Sequence, residues 1–217
     1  MSPTAAPDPT ATRIDYNTAG LARADLAEDP VDQLHRWLSD AAAAGDPEPN
    51  AMVLATVGAD GRPMTRNVLV RVVDHHGVTF FSNRNSAKGR AMDANPVACG
   101  LFSWLGMHRQ VRVDADVSVL DGADADAYWA SRPRDSQLAS AASPQGEVVA
   151  DREALDARFT ETAAAHEGRP IPRPAHWVGY RLVPHAFEFW QGRPARLHDR
   201  FRYRLCGGSW EVDRLAP

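Results

Sequence analysis

Lysine is what this sequence has least of. Lys88 is the only one, and all the other members of a set of 24 basic residues are arginines. So strong a bias reads as genome composition, which makes an arginine in place of a lysine unremarkable and a lysine that persists more interesting. Cysteine is scarce as well: Cys99 and Cys206 sit in unrelated contexts without CxxC spacing. One disulfide is open to the pair, and a reduced cytosolic protein is the simpler reading. Long apolar runs are missing. No stretch reaches the roughly 18 residues a membrane helix needs. The N-terminus MSPTAAPDPTATRIDY has no charged-then-apolar signal pattern, so the expectation is a soluble, cytoplasmic protein without a membrane partner. A positive excess is missing too. The formal net charge is -4, which argues against a nucleic-acid partner.

Several catalytic signatures are also absent. The chain has no GxGxxG after a first strand, no GxxxxGK[ST], no GxSxG and no HExxH. The pair His75-His76 falls in a turn signal, with no cysteine or carboxylate spacing to support ligation, so no metal site is expected.

What is present suits one domain. The chain of 217 residues, 44% hydrophobic, is long enough to bury a real core. The first twenty residues, rich in Pro, Ala and Thr through residue 12, are read as a flexible N-terminal segment, and 21–217 as a single domain. A helix is signalled from Asp29, a capping residue followed by Pro30, to about Gly45, with Leu34, Trp37, Leu38 and Ala41 on one face. The period then changes to two. Residues 51–57, 65–74, 78–83, 97–104 and 110–120 read as strands, and the links GADGRP and DHHG as hairpin turns. Short helices are expected over 86–94, 122–131 and 151–166. The segments WVGYRLVP, AFEFW, RFRYRL and WEVDRL return to β character. The fold class is mainly β, an antiparallel barrel flanked by helices.

Three polar stretches carry the chemistry. SRPRDSQ (131–137) places two arginines, two serines and an amide within seven residues. These groups suit a phosphate dianion, and equally a surface loop salt-bridged to Asp135, Asp126 or Asp151. In TRNVLVR, Arg66 and Arg71 flank an apolar centre. A spacing of five puts them on opposite faces of an ideal strand unless a bulge re-aims one. They are either solvated strand ends or anion ligands. In EFWQGRPARLHDRFRY, the arginines at 193, 196, 200 and 202, with Arg204 just beyond, crowd a tryptophan, a glutamine and a histidine. Arg196, His198 and Arg200 alternate, so they are expected to share one strand face around an anionic ligand, with a solvated edge strand as the alternative.

These stretches, together with DPVDQLHRWL, EPNAMVLATV, FFSNRNSAKG, RQVRV and the terminal DRLAP, resemble the pyridoxamine 5'-phosphate oxidases from about Asp25 to Pro217. The resemblance implies a split β-barrel homodimer with FMN in clefts between subunits. It implies oxidation of pyridoxine or pyridoxamine 5'-phosphate, with hydride passing from C4' to flavin N5 and oxygen leaving as peroxide. Carried over by position, the flavin site would use Arg66, Asn67, Val68, Leu69, Arg71, Phe81, Ser82, Lys88, Gln110, Gln145, Trp190 and Arg200. Arg66 and Lys88 would hold the phosphate. The substrate site would use Arg71, Tyr128, Arg132 and Ser136 on the phosphate, and Arg196 and His198 on the ring as the catalytic pair. Arg13 and Tyr16 would close over it. Three residues depart from the family pattern: Arg71 stands where lysine is usual, Ala141 where tryptophan is common, and Gly146 where serine is. The loss of the tryptophan keeps open a phenazine-pathway type of flavin oxidase with a bulky substrate that carries no phosphate. A non-catalytic flavin- or pyridoxal-phosphate-binding protein is a further alternative.

Overall fold

The computed structural model describes residues 15–16 and 18–217. Eight strands run β1 (Ala51–Val57), β2 (Pro63–Asp74), β3 (Gly77–Asn83), β4 (Val97–Trp104), β5 (Arg109–Val119), β6 (Trp177–Gln191), β7 (Asp199–Cys206) and β8 (Ser209–Leu215). Five helices accompany them: α1 (Pro30–Ala43), α2 (Ala87–Ala94), α3 (Gly122–Ser131), α4 (Arg134–Ala142) and α5 (Arg152–Ala165). All strand pairings are antiparallel, in the order β3-β2-β1-β4-β5-β6-β7-β8, and a β3–β6 pairing closes the first six into a barrel.

Closure depends on β6, whose 15 residues serve three neighbours. Its first half pairs with β3, its second half with β7, and β5 runs along most of it. The sequence reads this strand as two pieces, because Pro184 cannot donate to a ladder. Pro184 lies beyond the β3 pairing, which ends at Leu182, and before the β7 pairing, which begins at Ala186. It also sits where the β5 register shifts. No ladder bond is lost on its open side, so the strand continues through it.

Inward side chains fill the barrel. Met52, Leu54, Phe80, Phe102, Tyr180 and Phe189 are completely buried. Helix α1 plugs one side. Asp29 caps it by accepting from the Val31 amide at 2.7 Å, and its apolar face sends Trp37 edge-on against Phe189, centroids 5.3 Å apart. A smaller cluster of Trp129, Leu138, Ile171 and Trp177 forms outside the barrel beneath α3 and α4. Helix α4 is where the chain departs most from its sequence pattern: its N-terminal part comes from the stretch read above as possible loop. Pro133 stands at its N-cap, and Leu138 is its one buried side chain.

Candidate functional site

Arg71 is the residue that opens the site. Strands β2 and β3 pair Val70 with Phe80 and then Val72 with Thr79, so Arg71 is an extra, bulged residue. Its side chain stays on the Leu69 side of the strand and faces a cleft of about 430 Å³ that it shares with Leu69, Tyr128 and Arg132. The bulge changes the facing only of the residues after it, returning Val73 to the core. Phe81, Tyr128 and Trp177 form a stacked wall: Phe81 lies 4.0 Å from Tyr128 and 5.3 Å from Trp177, all within 18° of parallel. Arg132 stands over Trp177 at 4.8 Å and donates to Ser140 Oγ at 2.9 Å. Its burial, and then the Arg71 charge, push the guanidinium pKa down. Neither arginine forms an ion pair with a described residue. Two cations facing one cavity in this way repel until an anion enters between them.

A second cationic position lies next to the first. Arg66 points to the other side of β2, where it donates to Leu54 O at 3.1 Å and Thr56 Oγ1 at 2.8 Å. Lys88, in the first turn of α2, donates to Ser86 Oγ at 3.1 Å and Gln145 Oε1 at 3.0 Å. Burial lowers the pKa of both, and Arg66 lowers that of Lys88 further. Neither has a carboxylate partner among the described residues. With the α2 N-terminus behind them they fit a phosphate group. Ser82 and Gln145 line the adjoining cleft. Val68 packs its side chain on the barrel core, leaving only its backbone for a ligand, and Asn67 is exposed. Ser136 does not line the cleft. It lies one turn before Ser140 on the same face of α4.

The remaining candidates gather elsewhere. Gln110 pairs with Trp190 and Trp190 with Arg200, a row across β5, β6 and β7. His198 tilts against Trp190, centroids 4.7 Å apart. Tyr16 joins them at 5.7 Å from the His198 ring. Arg13 lies outside the described residues. The arginine-rich stretch departs here from the expected alternation. Arg196 and His198 precede β7, in a turn where Ala195 and Arg196 both adopt left-handed φ, 52° and 61°. The crowded arginines are mostly neutralised within the chain: Arg193 by Asp199, Arg202 by Asp213, and Arg204 by Asp213 and Glu211. Arg200 pairs with Glu188 at 2.7 Å and donates to Ala216 O at 2.9 Å. Those contacts leave only part of its five-donor fork for a ligand. Arg196 alone in the stretch has no ion-pair partner among the described residues. His198 Nδ1 accepts from the Arg193 amide at 3.1 Å, which leaves the proton of the neutral ring on Nε2. Burial, and then Arg196, lower its pKa and favour that neutral form.

The two groups do not meet within one chain. Phe81 pairs with Gly179 and Gln110 with Trp190, at opposite ends of β6. Eleven residues of extended strand separate those rungs by roughly 30–35 Å.

A family model described as pyridoxamine 5'-phosphate oxidase matches residues 38–166, and one described as the pyridoxine 5'-phosphate oxidase C-terminal dimerisation region matches 177–217. The chain belongs to the pyridoxamine 5'-phosphate oxidase family. A pyridoxine/pyridoxamine 5'-phosphate oxidase of Cupriavidus pinatubonensis is 51% identical over 206 residues, covering 94% of this chain and 97% of that one. The enzyme of the same name from Synechocystis sp. is 47% identical over 205 residues, covering 94% and 96%. Among solved structures, PhzG from Burkholderia lata in complex with tetrahydrophenazine-1-carboxylic acid aligns with a TM-score of 0.86 at 36% identity, over 92% of this chain and 99% of that one. The split-barrel oxidase fold expected from the sequence motifs is therefore the fold observed.

Two of the departures from the family pattern acquire a physical setting. Gly146 has φ +89°, and a Cβ there would sit 3.7 Å from the Ala87 amide nitrogen. Space exists for a serine, but the backbone conformation disfavours one. Ala141 borders a void of about 230 Å³ that reaches Arg158 and His176. Sequence reasoning missed Ser140 and Trp177 as cleft residues. It also missed His108, whose φ of 52° leaves no trace in a hydrophobicity pattern.

Proposed function

We propose that the protein is an FMN-dependent oxidase that converts pyridoxine 5'-phosphate or pyridoxamine 5'-phosphate to pyridoxal 5'-phosphate, with oxygen as acceptor. The observation that carries this reading is the pair of cations without an ion-pair partner among the described residues, Arg71 and Arg132, beside the aromatic wall of Phe81, Tyr128 and Trp177. A phosphate between the arginines and a flat ring against the wall account for both halves of the cleft. Lys88 and Arg66, backed by the α2 N-terminus, are suited to the FMN phosphate. Bound FMN supplies the two-electron acceptor. Arg196 and the Nε2–H of His198 then orient the substrate ring by donating to it, and Trp190 shields the site from water. Because orientation governs such a transfer, these residues act chiefly by holding geometry.

A working site needs both groups of residues, and one chain holds the Phe81 and Gln110 rungs at opposite ends of β6. We therefore read the enzyme as a homodimer whose sites each take Arg66, Arg71, Lys88 and Arg132 from one copy and Gln110, Trp190, Arg196 and His198 from the other. The match of residues 177–217 to a dimerisation region supports this.

A second reading rests on the likeness to PhzG and on the void beside Ala141. In it the substrate is bulkier and carries a carboxylate in place of the phosphate, a smaller charge for Arg71 and Arg132 to hold. One experiment separates the two. The protein is loaded with FMN and mixed anaerobically with pyridoxine 5'-phosphate while the flavin band is followed. Bleaching that reverses in air is expected. A band that persists there but bleaches with a dihydrophenazine carboxylate would establish the second reading.

A further inference from the structure

Tyr16 is held in place by a residue that neither the motifs nor the cleft assigns. The His108 ring stacks on Tyr16 with centroids 4.1 Å apart and planes 27° from parallel. His108 closes the turn between β4 and β5 in a left-handed conformation, φ 52°. That conformation is secured from β6: the His108 carbonyl accepts from the Gly192 amide at 2.8 Å and from Gln191 Nε2 at 3.2 Å. Gly192 completes the recess. A Cβ at that position would lie 2.6 Å from Tyr16 Cδ2 and 2.8 Å from His108 Cβ, so the ring fits only because residue 192 has no side chain.

The chain after Tyr16 is tied down by hydrogen bonds rather than by ring contacts: Thr18 Oγ1 donates to Gly192 O and accepts from Gln191 Nε2 at 3.3 Å. Arg193 donates to Thr18 O at 3.0 Å, and the Leu21 amide donates to Asp199 Oδ2 at 3.0 Å. These bonds anchor residues 18–21 to the end of β6 and the start of β7 without touching the Tyr16 ring. The ring's contacts are aromatic, to His108, Trp190 and His198, and only His108 stacks flat against it.

We propose that His108 is a positioning residue: it docks Tyr16 beside His198, and so sets how firmly the Tyr16 ring is held over the substrate. The proposal rests on the reading above for the substrate, but the docking itself does not depend on it. Asn, like His, tolerates left-handed φ and a bulky aromatic does not. His108→Asn therefore keeps the turn and removes the stack, whereas His108→Phe keeps the stack and strains the turn, so recovery in His108→Phe can come only from the ring. With pyridoxine 5'-phosphate, His108→Asn is expected to raise KM roughly threefold to tenfold, the range of one aromatic stack, with kcat changed less than twofold. His108→Phe should return KM to within twofold of wild type. Adding His108→Asn to Tyr16→Ala should raise KM no further than Tyr16→Ala alone.

A second measurement needs no turnover. Nitration of Tyr16 by tetranitromethane, followed on the N-terminal peptide by mass spectrometry, should accelerate several-fold in His108→Asn and revert in His108→Phe. An unchanged nitration rate in His108→Asn would overturn the docking. Faster nitration with an unchanged KM would overturn the positioning role. Failure of every variant, wild type included, to turn over pyridoxine 5'-phosphate would count against the assigned substrate alone and leave the nitration result to decide the docking.

Discussion

Lys88 and Arg66 show how single residues announce a ligand. Each is partly buried, each has its pKa lowered by that burial, and neither has a carboxylate partner among the described residues. An isolated buried cation is costly unless an anion arrives to compensate it. Replacing Lys88 with alanine removes a charge-assisted bond of about 1.5–3 kcal/mol, so FMN affinity should fall roughly tenfold to a hundredfold in a flavin-fluorescence titration. Binding should also take up protons. The free-state pKa of Lys88 lies below 10.5, and a bound phosphate raises it again. Calorimetry at pH between that lowered value and 10.5, in buffers of different ionisation heat, should therefore show uptake that Lys88→Arg abolishes. His198 gives its pH signature in folding rather than in binding. Its folded pKa lies below the ordinary 6.5 because of burial and then Arg196. Above 6.5 the ring is neutral in both folded and unfolded chains. As pH falls below 6.5 the unfolded chain takes up the proton first, and the folded state loses stability until its own lower pKa is passed. Arg196→Ala removes the second cause, so the His198 pKa measured by NMR should rise toward 6.5.

Among the elements, the turn between β6 and β7 does most to shape the second group of site residues. Left-handed φ at both Ala195 and Arg196 lifts Arg196 and His198 out of the ladder that begins at Asp199. The cost falls on Ala195, whose Cβ crowds the carbonyl in that conformation. Ala195→Gly should relieve about 1 kcal/mol and raise the thermal midpoint by about 2–4 °C in a calorimetric scan. An unchanged or lower midpoint would show that the turn is not strained. The bulge at Arg71 changes the facing of β2 beyond it, so that Val73 returns to the core after Val70. The alternation of β2 was legible in the sequence, and so was the placing of Arg66 and Arg71 on opposite faces, which the bulge leaves unchanged. The position of that bulge was not legible, because it is set by pairing with β3, a partner outside the strand itself. Helix α4 escaped for a related reason: its buried contact, Leu138 against Trp129 and Trp177, is tertiary, and the polar residues at its start carry no helical period.

At the scale of the whole molecule, the aromatic wall of Phe81 and Trp177 and the row of Gln110 and Trp190 belong to opposite ends of one long strand, and a second copy of the chain is the economical way to bring them together. The dimer makes a prediction that a one-chain site does not. At an FMN concentration that fills wild-type sites and leaves Lys88→Ala sites empty, a Lys88→Ala chain and an Arg196→Ala chain, each inactive alone, should regain about a quarter of wild-type sites when mixed and reassembled in equal amounts, since half the dimers then carry one intact site. Recovery is read from anaerobic flavin bleaching by pyridoxine 5'-phosphate. If each chain built its own site, mixing would restore nothing.

The barrel class, α1 with its cap and apolar face, most strands to within two residues, and the family were all legible in the linear chain, because they follow from local periodicity, turn residues and motif order. The stretch that crowds five arginines was legible only as a question. Its charges turn out to be paired largely within the chain, with Arg200 on Glu188 and Arg193 on Asp199 inside the stretch, and Arg202 and Arg204 on Asp213 of β8. Arg196 is left over. Which arginine is paired and which is left for a ligand depends on the register of β6, β7 and β8, and a register is a relation between strands that no single strand encodes. The recess for Tyr16 at Gly192 and His108 has the same origin: residues more than ninety positions from Tyr16 in the chain become its neighbours only once β5 and β6 are paired.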